Sequence, residues 1–304
     1  MDSVRKGLGL ALASSVAWSF WTVLIDVVDG MGKSNYIAYL TIVELFVIAL
    51  NLAFLRFYKT KATRPPRLHG ARGITRYPVY AGLCFGVGNI IFYALVGGKD
   101  YPFVASMMFS SVVILALLLG RITKRRIGAL YVVGTMITFA GLVAQAVVLY
   151  GTDLALAAGI IIYSAAMSLS YALGYYFAIY YAYEGIDPVR TLPQVYVPIL
   201  ATAILFGIAT GGYSGLAMIT PEEVLICLLI AVAVIVGYLT EEFAFAALRG
   251  AKTKYLNIAN ILTNLEIVGA GVFTAFFLHL AYQWLLAGLA LTFIGILVIE
   301  RSKD

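Results

Sequence analysis

Five acidic residues lie inside long apolar stretches of this sequence, where a charge is unfavourable. Glu44 lies within IAYLTIVELFVIALNLAF and Glu266 within LNIANILTNLEIVGAGVFTAF. Glu241 and Glu242 are adjacent in VGYLTEEFAFAALRG, and Asp26 follows the apolar start of the chain. A charged side chain in hydrocarbon costs about 2.5 to 3.5 kcal/mol on insertion scales, so each acid is a candidate for a substrate or ion pathway. A structural hydrogen bond to a neighbouring helix is the alternative.

The acids have no basic partner in these stretches, because every Lys and Arg falls at an end of an apolar segment or between segments. A buried carboxyl without such a partner is either protonated or binds a cation. The chemistry that this pattern predicts is therefore proton transfer, binding of a cationic substrate, or both.

The acids differ in their expected depth. Glu44 and Glu266 lie near the middle of their stretches, whereas Asp26 lies near an outer edge. The stretch with Glu241 and Glu242 has 25 apolar-rich residues from 224 to 248, about 37 Å of helix against a hydrocarbon core of about 30 Å. This helix is longer than the core is thick, so it can shift along the membrane normal and change the depth of the two glutamates. We expect Glu44 and Glu266 at the centre of a pathway and the adjacent pair at its cytoplasmic entrance, or alternatively at the interface.

Two helices carry a polar stripe with the same spacing. In the first, residues at intervals of 4, 3 and 4 share one helix face: Ser15, Ser19, Thr22 and Asp26. The same intervals recur 149 residues later: Ser164, Ser168, Tyr171 and Tyr175. Polar atoms on one face of a membrane helix require protein or water as a partner. Both stripes are predicted to face the interior, although serines also serve close helix packing.

Aromatic and amide side chains complete the predicted pathway. Trp18, Tyr171 and Tyr175 offer ring faces that attract ammonium groups, although packing and an interfacial belt explain such residues equally well. Asn89 follows three glycines in the third stretch. Asn260 and Asn264 form a second stripe in the ninth stretch, which points roughly 160° away from its glutamate on a straight helix.

The composition places these residues in a membrane protein. Of 304 residues, 62% are hydrophobic and 12% are charged, with a mean hydropathy of +0.95, whereas soluble domains carry about a quarter of charged residues. Ten stretches are long enough to cross a bilayer as helices. They lie near 7 to 28, 34 to 56, 77 to 97, 102 to 120, 127 to 149, 154 to 182, 189 to 210, 222 to 248, 255 to 277 and 281 to 299. We predict an all-α integral membrane protein.

The net charge of +6 follows from membrane topology. With a cytoplasmic N-terminus, all of the 21 Lys and Arg except Lys33 and Lys99 fall on the cytoplasmic side, as the positive-inside rule requires. We therefore expect a multi-pass protein of the cell membrane with both termini in the cytoplasm and the lipid bilayer as its partner. The charge gives no reason to expect a nucleic acid.

The residues of an enzyme or metal site are not grouped in this sequence. Cys84 and Cys227 lie in separate membrane stretches, and His69 and His279 lie in loops on opposite sides. Neither pair has the spacing of a disulfide framework or a metal site. We expect no metal, no cofactor and no catalytic residues.

The chain contains an internal repeat. GTMITFAG (134 to 141) and GLALTFIG (288 to 295) share G, T, F and G in one register, and FYALVGGKDY and FAALRGAKTKY each place an A-L pair before a short basic loop. Five stretches precede residue 150 and five follow. An odd number per half inverts the second half in the membrane. We predict ten transmembrane helices as a five-plus-five inverted repeat, with halves at 1–149 and 150–304.

These features resemble the drug/metabolite transporter superfamily, in particular its EamA-type branch. The resemblance covers nearly the whole chain and depends on the ten helices, the A-L pairs and the G-x6-G of the fifth and tenth helices. It implies that helices 1 to 4 and 6 to 9 surround a central substrate cavity, while helices 5 and 10 lie peripherally.

The function expected from these residues is secondary transport by alternating access. We expect the substrate to be a small metabolite, and the acids favour a cation or a zwitterion. The sequence is compatible with proton coupling and with efflux. A passive facilitator or a lipid flippase of the same fold is the alternative, and an intramembrane enzyme is disfavoured. A homodimer is also open.

Overall fold

The protein folds into a bundle of apolar helices. The computed structural model describes residues 2–31, 36–57, 76–95, 101–111, 114, 128–151, 154–183, 188–248, 255, 258–259, 262–263, 265–266 and 283–301. Its α-helices are α1 (Asp2–Met31), α2 (Tyr36–Phe57), α3 (Tyr77–Leu95), α4 (Tyr101–Phe109), α5 (Ala129–Tyr150), α6 (Leu154–Tyr183), α7 (Pro188–Thr210), α8 (Pro221–Ala247) and α9 (Gln283–Arg301). A short 3₁₀ helix, Leu216–Met218, precedes α8. The prediction of an all-α protein is confirmed for this part of the chain.

Seven of the described helices are long and apolar enough to cross a membrane. The segments are Asp2–Ile25, Tyr36–Arg56, Tyr77–Leu95, Ala129–Tyr150, Ala158–Ala178, Val189–Thr210 and Pro221–Ala247. A shorter apolar segment, Ala287–Ile299, lies in α9. Most of the predicted fourth and ninth spans, 102–120 and 255–277, falls outside the described residues. The coarser prediction, a helical protein embedded in a membrane, agrees with these seven segments.

The bundle exposes large apolar side chains and buries several polar ones beside its apolar core. Met136 and Leu205 are 67% and 69% exposed, which suits a lipid environment. Thr22, Gln145 and Asn51 are completely buried, where protein groups can satisfy their hydrogen bonds.

Five pairs of helices make the main contacts, namely α5 with α9, α1 with α8, α3 with α6, α3 with α7 and α2 with α7. Small residues allow the helices to approach closely. Ser14 in α1 donates a hydrogen bond of 3.0 Å to the carbonyl oxygen of Gly237 in α8, and the Trp18 ring covers the same glycine. In the α3–α6 pair, the Phe85 ring covers Gly174.

The α5–α9 pair crosses at the repeated glycine motif. A Cβ atom at Gly134 would lie 2.7 Å from the carbonyl oxygen of Gly295, and one at Gly141 would lie 2.7 Å from that of Gly288. The first glycine of each motif therefore faces the second glycine of the other, so the two helices run antiparallel. Backbone contact at both crossings requires residues without a side chain.

Two prolines inside α7 do not end the helix. Pro193 has no N–H to donate to the carbonyl of Val189, four residues earlier. The buried Asn51 amide of α2 donates to that carbonyl over 3.5 Å. The α2–α7 contact therefore satisfies a backbone group that the proline leaves without its helical partner.

A hydrogen-bonded cluster joins α2 to the start of α8. The Tyr39 hydroxyl donates to Oε1 of Glu223 over 2.7 Å, while Glu223 forms a capping box with Thr220. Next to this bond, the hydroxyls of Thr41 and Tyr213 lie 2.9 Å apart. The capping box fixes the position of the Glu223 carboxylate, because Oε2 of this carboxylate accepts a hydrogen bond from the Thr220 N–H.

The α5–α9 crossing gives a stability prediction. Gly141→Ala places a methyl group 2.5 Å from the backbone nitrogen of Thr292, and we expect it to destabilise the fold by about 1 to 3 kcal/mol through overpacking. Gly159→Ala in α6 is the matched control, because no atom lies within 4 Å of its Cβ position. Thermal unfolding of the purified protein in detergent measures both. An equal melting temperature for the two variants would contradict the close crossing.

Candidate functional site

A cavity opens among seven of the described helices. Residues of α1, α2, α3, α4, α6, α7 and α8 line it, together with Glu266 from the ninth predicted span. The space between the lining atoms, including its opening, is about 740 Å³. Among the described residues, neither α5 nor α9 contributes to its wall.

Four glutamates converge on this cavity: Glu44, Glu241, Glu242 and Glu266. The described lining residues include no lysine, arginine or histidine. Glu44, Glu242 and Glu266 are only 2%, 5% and 7% exposed. Acids that are far apart in sequence therefore share one enclosed space.

Glu241 and Glu242 both line the cavity, although adjacent helix residues differ in direction by about 100°. They belong to one face of α8, since Tyr238 precedes Glu242 by one turn and Phe245 follows Glu241 by one turn, and all four residues reach the wall. The face that α8 presents is wide enough to include both directions. The angle of about 100° between their directions is therefore not a reason to assign these two acids to different sites.

Glu44 ends a hydrogen-bonded chain across three helices. The Tyr171 hydroxyl of α6 donates to Oδ1 of Asn89 in α3 over 2.5 Å. The Asn89 amide nitrogen lies 3.5 Å from Oε1 of Glu44 in α2, a long hydrogen bond. Oε2 of Glu44 has no hydrogen-bond partner in the described part of the protein. One oxygen of this carboxyl group is thus positioned by protein, and the other is free for a ligand.

The other three glutamates form a separate acidic group. The Trp18 indole N–H of α1 donates to Oε2 of Glu241 over 3.1 Å. Glu241 is close enough to interact electrostatically with both Glu242 and Glu266. Oε2 of Glu242 and Oε2 of Glu266 lack a hydrogen-bond partner among the described residues. We call Glu241, Glu242 and Glu266 the acidic trio.

Two cavity tyrosines lie near both Glu44 and the acidic trio. The Tyr171 hydroxyl interacts electrostatically with Glu44 and Glu266, and the Tyr196 hydroxyl interacts with Glu44 and Glu241. Each of these rings therefore has an acid of both groups in its surroundings. Phenol rings beside carboxyl groups form a wall that suits an organic cation.

The remaining predicted site residues have different positions. Trp18, Asn89, Tyr171 and Tyr175 line the cavity. Thr22 is buried in α1, where its hydroxyl donates to the carbonyl of Ser19 over 2.8 Å, so the structure gives it a role in the helix rather than in the wall. Asp26 belongs to α1, but its side chain lies outside the described residues, as do Asn260 and Asn264.

Sequence reasoning missed several aromatic residues of the wall: Trp21, Phe85, Tyr196, Tyr238 and Phe245. A partial signal was present for four of them, since each lies about one turn from a predicted site residue: Trp21 from Trp18, Phe85 from Asn89, Tyr238 from Glu242 and Phe245 from Glu241. Tyr196 carries no such signal, because the helix that it faces is set by the tertiary packing.

The cysteines are free and separate, with Cys84 half-buried and Cys227 buried. In the part of the chain that the structure describes, no group of three or more His, Cys, Asp and Glu has a metal-binding arrangement.

The fold is similar to that of proteins of known structure. One solved structure, described only as the crystal structure of a protein, matches with a TM-score of 0.59 and 14% identity over 95% of this chain and 96% of that chain. At this identity the similarity concerns the fold alone. No family model matches the chain, and no curated protein does.

The Tyr171–Asn89 bond leads to a prediction. Tyr171→Phe removes the hydroxyl that donates to the half-buried Asn89, so we expect a loss of about 0.5 to 1.5 kcal/mol of stability. Tyr163→Phe on the same helix is the matched control, because Tyr163 is 60% exposed. Thermal unfolding in detergent compares the two. If Tyr163→Phe lowered the melting temperature as much as Tyr171→Phe, the bond would not be the cause.

Proposed function

We propose that the protein is a secondary transporter that moves a small organic cation through this cavity by alternating access. The observation that carries the proposal is the set of four cavity glutamates without a basic partner in the described wall. Enclosed carboxyl groups with unpartnered oxygens favour a ligand that brings positive charge and N–H donors. A zwitterion also meets this need through its ammonium group.

Protons and substrate compete for the same carboxyl groups in this proposal. A carboxyl group that binds an ammonium must be charged, and it becomes neutral when it binds a proton instead. Exchange of one for the other couples the two movements, because each ligand favours the state that binds it. Glu44 and Glu266 are the central groups of this exchange. Glu241 and Glu242 act beside them rather than only at the entrance, since they line the same cavity.

The contacts of α5 and α9 support the inverted repeat. A two-fold axis in the membrane plane exchanges Gly134 with Gly288 and Gly141 with Gly295. It therefore converts the contact between Gly134 and Gly295 into the contact between Gly288 and Gly141, and both contacts are observed. Thr138 and Thr292 bond to the preceding turn in the same way, at 2.9 and 3.0 Å.

The other contacts follow the same exchange. The pairs α1–α8 and α3–α6 become equivalent when the halves 1–149 and 150–304 are interchanged. Ser19 lies 2.8 Å from the carbonyl of Ser15 and 3.3 Å from that of Glu266, and Ser168 bonds to the carbonyls of Ser164 and Met107. Each serine thus joins the first helix of its own half to the predicted fourth helix of the other half.

The resemblance to EamA-type drug/metabolite transporters agrees with this arrangement. In that family helices 5 and 10 lie away from the cavity, and here the corresponding α5 and α9 are absent from the described wall. We infer ten spans, both termini in the cytoplasm and a location in the cell membrane. The Tyr39–Glu223 cluster then lies at the outer end of the bundle and closes it in this state.

Cysteine labelling tests the ten-span topology. Lys99→Cys and His279→Cys should react with a membrane-impermeant maleimide from outside the cell, and Arg125→Cys and Lys252→Cys only after the cytoplasmic face is exposed. The unmodified protein is the control, because Cys84 and Cys227 are half-buried and buried within helices. Lys99→Cys and Arg125→Cys reacting from the same side would contradict a fourth span.

Counterflow in proteoliposomes tests the transport function. We expect at least one of a panel of small amines, including pentylamine and choline, to show saturable counterflow. Glu44→Gln and Glu266→Gln should each reduce it by about tenfold or more, since each removes a carboxyl group that exchanges a proton for the substrate during transport. Glu222→Gln is the matched control, because Glu222 is exposed.

Three results would contradict parts of this proposal. Absence of counterflow for every amine would reject the transport of organic cations. Normal flux and unchanged pH dependence in both glutamine variants would reject the coupling. Amine flux that moves no protons would favour a passive facilitator, and transfer of labelled lipid without amine flux would favour a flippase.

A further inference from the structure

We propose that the preferred ligand of the cavity is a linear diamine, which places one primary ammonium at Glu44 and the other at the acidic trio. This inference depends on the proposed function for its physiological meaning, but it concerns binding and is tested by binding. Among organic cations, the inference selects those that have two separate ammonium groups, each with N–H donors.

The first argument is the separation of the acids into two groups. Glu241 interacts electrostatically with Glu242 and Glu266. Glu44 accepts a long hydrogen bond from Asn89 of α3, whereas Glu241 accepts a hydrogen bond from Trp18 of α1. Both groups nevertheless line one cavity. A ligand with a single charge can compensate only one group, whereas a ligand with two charges reaches both.

The second argument concerns the kind of ammonium. Oε2 of Glu44, Glu242 and Glu266 is buried and has no hydrogen-bond partner among the described residues. A buried acceptor that lacks a donor is costly. A primary ammonium supplies three N–H donors, whereas a quaternary ammonium supplies none. The unpartnered oxygens therefore select primary amines, even though the aromatic wall alone would also accept a quaternary group.

The third argument is the apolar and aromatic wall that the two groups share. Tyr171 and Tyr196 line the cavity near acids of both groups, and Met108, Ile199 and Val234 add apolar surface to the same cavity. A chain of methylene groups between two ammonium groups suits a cavity that has two acidic groups and an apolar wall. Burial of each methylene is favourable by about 0.8 kcal/mol.

Equilibrium binding to the purified full chain in detergent tests the inference. The probes are cadaverine, which has an ammonium at each end of a five-carbon chain, pentylamine, which has the same chain and one ammonium, and pentyltrimethylammonium, which has no N–H donor. We expect cadaverine to bind about tenfold or more tightly than pentylamine, and pentyltrimethylammonium to bind most weakly. Putrescine and hexamethylenediamine then report how closely the chain length matches the two groups.

The Glu44→Gln variant tests whether Glu44 binds the second ammonium group of cadaverine. Glu44→Gln should lower the affinity for cadaverine to that for pentylamine. The affinity for pentylamine should change little, because its ammonium can still bind at the acidic trio. Retained pentylamine binding also shows that the variant is folded. Glu222→Gln, with its exposed side chain, should keep the full preference for cadaverine.

Equal affinities of the wild-type protein for cadaverine and pentylamine would overturn the two-group ligand. Tighter binding of pentyltrimethylammonium than of pentylamine would overturn the selection of primary amines, and binding of none of the three would overturn the inference as a whole. These results are independent of transport. A strong preference for cadaverine without any flux in proteoliposomes would support the diamine site and reject the proposed transport function.

Discussion

The rest of the structure depends on one constraint, which is the enclosure of four carboxyl groups within an apolar bundle. Lipid cannot solvate a carboxyl group, so protein must surround it. Seven described helices and the segment with Glu266 share this task. Asn89 and Trp18 each donate to one carboxyl oxygen. The protein leaves other oxygens of the same groups without a donor, and this incomplete satisfaction is what favours a cationic ligand.

Close helix contacts make the enclosure possible. Gly237 allows the Trp18 ring to lie against α8, and Gly88 allows the Tyr171 ring to lie against α3. A larger residue at either position would push the ring away from its carboxyl or amide partner. Glycines also allow close contact in the α5–α9 pair, where they bring together the backbones of two helices that are absent from the described cavity wall. Small residues thus position cavity side chains in one part of the bundle and allow close helix packing in another.

Several predictions from the sequence concern properties that are local, and these are the ones that the structure supports most fully. Helices such as Ala129–Tyr150 and Pro221–Ala247 are apolar over enough residues to be recognised without any knowledge of their neighbours. The burial of Glu44 and Glu266 follows in the same way, since no sliding of either helix brings its middle to water. The number of spans and the inverted repeat remain predictions, because much of two predicted spans lies outside the described residues.

The sequence by itself determined an all-helical, membrane-embedded chain with acids at depth, because hydropathy and helical periodicity are properties of each segment alone. Tertiary structure alone decided that Glu44, the acidic trio and the tyrosines near both share one cavity. It also decided that Glu241 and Glu242 both belong there, while Thr22 bonds within its own helix. These outcomes depend on which helix faces each residue, and that choice is made by packing between distant segments of the chain.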